Sequence, residues 1–216
     1  MGTRLAKIAD RPLQSRRIIL CEGADEYDIL FWLRSKRELG ESDVEIMNAQ
    51  GRNNLNPLLG DVRFMSGGSD LELVAVVLDA EEQSSKDKSL VDNLKATAQA
   101  QQIQVLIKIL PDAITPGSLE TLVRRHADGN AHASNCADKW EACIQSSQEW
   151  VTRAQADKAW GHVWLASQGA FHSRIGHALA NNAEIRKQLP SVLEHFDALL
   201  EEVLRAPLKK TPPYVS

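Results

Sequence analysis

The run Leu71-Glu-Leu-Val-Ala-Val-Val-Leu78 constrains this chain more than any other segment. It is apolar on both faces, so as a strand it must be covered on both sides, and it leads directly into a carboxylate, Asp79. A central strand of a parallel sheet has this pattern. Three further runs have strand character: Arg17-Ile-Ile-Leu-Cys-Glu22, Asp43-Val-Glu-Ile-Met-Asn48, and Gln104-Val-Leu-Ile-Lys-Ile-Leu110, which Pro111 stops. Alternation of Val44, Ile46 and Asn48 predicts a partly exposed strand near a sheet edge. Helical spacing lies between these runs, over 24–39 through Tyr27, Leu30, Phe31 and Leu33, and over 86–102 through Leu90, Val91, Leu94 and Ala98. A short helix fits within 52–59, limited by Pro57 unless it starts near Asn56. The alternation predicts an α/β fold: a parallel four-stranded sheet with helices on both faces and right-handed crossovers.

From Ser118 onward the pattern changes to helix alone, over 118–127, 134–152, 154–167, 169–181 and 189–205. Leu193, Phe196, Leu199, Leu200, Val203 and Leu204 make an apolar stripe in the last of these. No Gly-, Ser- or Pro-rich linker intervenes. The expected organisation is a basic amino-terminal segment (1–16), an α/β core (17–128), an all-helical C-terminal extension packed on that core (129–206), and a Pro-rich tail (207–216). Trp140, Trp150, Trp160 and Trp164 all fall in the helical half, where core packing is their first reading and a base-stacking platform the second.

Composition limits function. Lys and Arg number 25 against 29 Asp and Glu, a net charge of -4, which disfavours a generally basic nucleic-acid binder. A local phosphate site remains open, because a bound divalent ion reverses the field over a small area. Three cysteines without a CxxC pair argue against a disulfide framework and for a reducing compartment. No secretory apolar region and no run of ~20 apolar residues is present, so the expectation is a cytoplasmic protein without membrane contact.

Chemistry in open parallel sheets collects at the carboxyl ends of the strands. Acids cluster there in this chain. Glu22 closes the first strand ahead of Asp25 and Glu26, and Asp79 closes the third ahead of Glu81 and Glu82. Taken singly, Asp25, Glu26, Glu81 and Glu82 read first as acids favoured at helix starts. Glu22 and Asp79 together read as a metal site, because carboxylates converging at adjacent strand ends repel unless a cation offsets them. Mg²⁺ suits such a site, since it takes one or two carboxylates and keeps water positions open for phosphate oxygens. Glu120, in the first turn of the helix opened by Gly117-Ser118, should face the same rim.

These residues carry a resemblance. CEGADEYDILFWL, followed by an apolar strand ending LDAEE, resembles the Toprim domain of topoisomerases, bacterial-type primases and overcoming-lysogenization-defect (OLD) nucleases. GRNNL, ILPDAITPGSLETLV and KAWGHVWLASQ are similar to an uncharacterised bacterial Toprim-like family of DUF3226 type. The resemblance implies a Toprim-like fold and metal-dependent nuclease chemistry on nucleic acid, DNA or RNA. Glu22 would be general acid/base or a ligand, and Asp79 and Glu81 would hold Mg²⁺ or Mn²⁺. A second ion would draw on Asp25, Glu26 or Glu82. Lys158, in the similar helical segment, would be an electrophilic partner; as a plain helix lysine it would be solvated. Glu81 stands where the commoner Toprim pattern has Asp, which bears on turnover more than on metal binding. The resemblance also implies a role in phage defence with an ATPase partner, since the sequence has no GxxxxGK[ST] motif.

Lesser candidates complete the reading. Arg52 and Asn53, after Gly51, would contact phosphate, or else form a turn closing into a helix cap. His132, Cys136 and Cys143 lack the paired spacing of a zinc set. Arg4, Lys7, Arg11, Arg16 and Arg17 form the one basic cluster, which would track a phosphate backbone or be solvated. The competing function is a catalytically silent Toprim-fold module that docks a partner protein, with oligomers open in either case.

Overall fold

The computed structural model describes residues 12–80, 85–112, 114–127, 131–145 and 153–208. Four parallel strands, β1 (Arg17–Cys21), β2 (Glu45–Asn48), β3 (Leu73–Asp79) and β4 (Gln104–Leu110), lie in the order β2-β1-β3-β4. Helix α1 (Ala24–Lys36) joins β1 to β2, α2 (Leu55–Asp61) follows β2, and α3 (Ser85–Ala100) joins β3 to β4. After β4 the chain is helical: α4 (Leu119–His126), α5 (Ala131–Gln145), α6 (Arg153–Ala166), α7 (Ile175–Asn181), α8 (Ala183–Gln188) and α9 (Pro190–Arg205). The expected class, a parallel four-stranded sheet with helices on both faces and a helical C-terminal segment, is the observed one.

Strand periodicity divides the core in two. Ile19, Cys21, Leu73, Ala75 and Val77 point to the face covered by α1 and α4–α9, where Trp160, Trp164, Phe196 and Leu200 are buried. Ile18, Leu20, Val74, Val76 and Leu78 point to the other face, against Leu55 and Leu59 of α2 and Leu94 of α3. Register pairs Ile19 with Ile46 on one side and with Ala75 on the other. The path leaves β1 in one direction for β2 and in the other for β3, so the switch point of the sheet lies between the carboxyl ends of β1 and β3.

Several expectations are corrected. β2 is an edge strand, yet Val44 to Met47 are all buried, Glu45 included at 3% exposure. Cover comes from the segment before β1, whose Gln14 N–H donates to Glu45 Oε2, and from Arg34 of α1, which donates to the Val44 carbonyl. The helix expected over 169–181 starts only at Ile175, because Gly169 at φ +80° turns the chain away from α6. Ahead of α9 a separate short helix, α8, is capped by the Asn182 side chain, which accepts from Glu184 and Ile185 N–H. Residues 146–152, the end of the helix expected over 134–152, and Trp150 lie outside the described residues.

Two members of the basic amino-terminal cluster, Arg16 and Arg17, have partners within the fold. Arg17 donates to the Val203 and Ala206 carbonyls at the end of α9, at 3.0 and 3.2 Å, and Arg16 pairs with Glu72. Arg4, Lys7 and Arg11 lie outside the described residues. Trp160 and Trp164 are buried and stack on each other, so neither forms a base-stacking surface. Among the described residues no helix is long and apolar enough to cross a membrane.

Candidate functional site

Glu22 is the first residue past β1, and its N–H donates to the Val77 carbonyl at 2.9 Å, extending the ladder by one step. This places its side chain beside the end of β3, where Oε2 accepts the Asp79 N–H at 3.2 Å. Gly51 N–H bonds the Glu22 carbonyl at 2.8 Å, and Gly51 sits at φ 119°, a value that favours glycine. Arg52 then donates to the Asp79 carbonyl at 2.9 Å and lies 3.8 Å from Glu22 Oε2. Its guanidinium thereby ties the two strand ends together. Asn53 is exposed on the turn Arg52–Asn54 and does not line the cleft described below.

Asp79 faces the amino terminus of α4. Its Oδ1 accepts the Leu119 N–H at 3.1 Å, and one residue away Ser118 Oγ donates to Glu120 Oε2 at 2.7 Å. Glu120 rests against Gly161 of α6, where an added Cβ would meet its Cγ at 3.1 Å. The start of α1 contributes the remaining acids. Glu26 accepts the Gly23 N–H at 3.1 Å, a contact that fixes the first turn of the helix. Asp25 Oδ1 accepts the Gly176 N–H of α7 at 2.7 Å, with Arg174 at 3.9 Å.

Glu22, Asp25, Glu26, Asp79, Glu120 and Lys158 thus line one cleft of about 540 Å³. Glu81 and Glu82 lie outside the described residues. Sequence reasoning missed Ser118 as more than a cap residue, Gly161, and the pair Arg174 and Gly176. A helical glycine carries no local sign of the neighbour it admits. His132 Nε2 and Cys136 Sγ are 3.8 Å apart on α5, but among the described residues no zinc set forms.

Burial pushes the Asp79 carboxyl well above its ordinary value, and the negative charges of Glu26, Glu22 and Glu120 push it further; Lys158 opposes them. Glu26 is raised to about 7, by burial first and then by Asp25 and Glu22. Asp25 is raised by burial, against the Gly176 N–H and Arg174. Such a group of hard oxygen donors, short of positive charge, suits Mg²⁺ or Mn²⁺. Among the described residues no three acids already converge on one point as ligands do, so an ion would be held by one or two carboxylates and water.

A stability effect follows from the sign of these shifts. Glu26 keeps its proton in the fold where the unfolded chain, at an ordinary value of 4.5, has lost it. Its stabilisation is complete below about pH 4.5 and lost as pH rises to about 7. In EDTA, urea midpoints at pH 5 and 7.5 should show the wild type losing roughly 1–3 kcal/mol more than Glu26→Gln, which keeps an oxygen for Gly23 N–H. Equal losses in the two proteins would remove Glu26 as the source.

Comparison with known proteins follows the same outline. A family model described as "Protein of unknown function (DUF3226)" matches residues 16–205. The C-terminal region of the Burkholderia pseudomallei OLD protein is similar at 13% identity and a TM-score of 0.45, covering 86% of this chain and 98% of that one. The corresponding region of the Xanthomonas campestris pv. campestris OLD protein is similar at 14% identity and a TM-score of 0.38, covering 87% and 96%. No curated protein matches. Since the matched segment runs from the residue before β1 to the last residue of α9, the chain belongs to the DUF3226 family.

Proposed function

We propose that this chain is a metal-dependent phosphodiesterase of the Toprim type that cleaves nucleic acid. The observation that carries the reading is the meeting of Glu22 and Asp79 at the carboxyl ends of the two central strands, at the switch point of the sheet, in a cleft that Glu26 and Glu120 also line. The Glu-Gly turn and the acidic end of β3, which resemble the Toprim pattern, support it. Asp79, with at most one of Glu22, Glu26 and Glu120, would hold Mg²⁺ or Mn²⁺, and water would complete the shell. The ion supplies charge for a phosphodiester oxygen and an acidified water.

The remaining work belongs to side chains. Glu22, within reach of the Asp79 backbone and of Arg52, is placed to accept a proton from the attacking water. Lys158, exposed and lining the same cleft as Asp79, would offer a cation to the phosphate or the leaving oxygen. Arg52 holds the strand ends in position. ATP-driven control would reside outside these residues, whose sequence has no phosphate-loop motif.

Supercoiled plasmid and single-stranded RNA, each incubated with Mg²⁺ and with Mn²⁺, test the reading. Cleavage of one substrate that stops in EDTA is expected; intact plasmid and RNA under both metals sinks it. The second reading, a catalytically silent docking module, is favoured by Glu81, which stands where the commoner Toprim pattern has Asp. Calorimetry separates the two, since a silent module gives no heat of Mn²⁺ binding at the cleft while an enzyme does.

A further inference from the structure

We propose that Asp157 is a positioning residue for the cleft, acting on Asp79 and Glu120 through the first turn of α4. The inference deepens the metal-site reading and rests on it for the ion, but its geometry is independent of any ion. Asp157 lies on α6 and is completely buried, where an unpaired carboxylate costs several kcal/mol. Arg124 offsets its charge at 3.1 Å from Oδ1, and the same arginine meets Glu141 of α5 at 2.5 Å. Oδ2 instead accepts the Thr121 hydroxyl at 2.5 Å.

That second bond reaches the cleft. A hydroxyl has one proton, so once Thr121 Oγ1 gives it to Asp157 only lone pairs remain for its other neighbour. That neighbour is the Ser118 N–H, which donates to Thr121 Oγ1 at 3.0 Å. With Ser118 held, the next N–H, of Leu119, binds Asp79 Oδ1, and the Ser118 hydroxyl binds Glu120 Oε2. Thr121 fills the space that a Cβ at Gly117 would take, and Gly117 sits at φ +148°, so the side chain can lie there only because that residue is glycine. A path of hydrogen bonds, joined through the covalent frame of Ser118 and the Ser118–Leu119 peptide, therefore runs from a carboxylate buried in the helical extension to two acids of the cleft.

The test compares Asp157→Asn, Thr121→Val, Thr121→Ser and Glu141→Gln in the full chain, the last removing a buried carboxylate from the same arginine. Two quantities are read: hydrogen exchange of the Leu119 amide, and Mn²⁺ affinity by calorimetry. Asp157→Asn and Thr121→Val should speed that exchange about 10-fold and weaken Mn²⁺ binding about 10–100-fold. Thr121→Ser, which keeps the hydroxyl, should stay near wild type, and Glu141→Gln should lower the melting temperature without moving either quantity. Should Asp157→Asn fail to fold, the contrast of Thr121→Val with Thr121→Ser decides. Exchange and affinity in Asp157→Asn or Thr121→Val equal to those in Glu141→Gln overturn the inference. A wild type that binds no Mn²⁺ overturns the metal reading instead, and the exchange data still judge Asp157.

Discussion

Asp79→Asn is expected to lower metal-dependent cleavage by at least about 100-fold and, in EDTA, to raise the stability of the fold by about 1 kcal/mol. The two effects have one origin. Burial and three neighbouring acids penalise a charge on Asp79, so without a cation the fold is relieved when that charge is removed. Asn keeps an oxygen for the Leu119 N–H and turns a donor toward the acids around it. Differential scanning calorimetry in EDTA, beside plasmid and RNA cleavage in Mn²⁺, measures both. A variant that loses stability and activity together would mark Asp79 as a structural residue only. Glu22→Gln should likewise abolish cleavage while retaining an acceptor for the Asp79 N–H.

Gly176→Ala should cost about 3 kcal/mol or more. Helix α7 approaches the start of α1 so closely that a Cβ at Gly176 would overlap the Cα and carbonyl of Asp25. Backbone atoms have no rotamer by which to yield, so α7 must move off α1. The Gly176 N–H bond to Asp25 would go with it, opening one wall of the cleft. Gly60→Ala in α2 is the matched control, because nothing lies within 4 Å of its Cβ position. There the exchange should stabilise by about 0.5–1 kcal/mol through helix propensity. Urea unfolding of both variants checks the sign, and a loss at Gly176 no larger than about 0.5 kcal/mol would mean that the helices separate freely.

The strands and the central place of β3 were legible because burial on two faces leaves a continuous apolar run, and that run ends at the cleft; the order β2-β1-β3-β4 was not, since no strand's own residues specify its neighbours. Glu22 and Asp79 were legible for the same reason. The cover of β2 was not, since Gln14 and Arg34 act across the fold and leave no mark on residues 43–48. The helix that Asn182 caps lies in the gap between the two expected over 169–181 and 189–205, where Ile185 alone of a mostly polar segment is buried. Asp157, in RAQADKAW, looks like any solvated helix acid, and its bonds to Arg124 and Thr121, over 30 positions earlier, cannot be read from its neighbours in sequence. Arg52 read as a phosphate contact or as part of a turn closing into a helix cap, and neither reading pointed to its bond with the Asp79 carbonyl, 27 positions on.

The division of the core has a consequence for synthesis of the chain. One face of the sheet is complete once residue 110 has emerged, since Leu55, Leu59, Leu94 and β4 all precede that point. The opposite face, bearing Ile19, Cys21, Ala75 and Val77, waits for Trp160, Phe196 and Leu200. On a ribosome adding roughly 5–20 residues per second, the part of that apolar surface that α1 does not cover stays open for several seconds. Arg17, whose partners are the carbonyls of Val203 and Ala206, is among the last residues of the sheet to find its place, although it is in the first strand made.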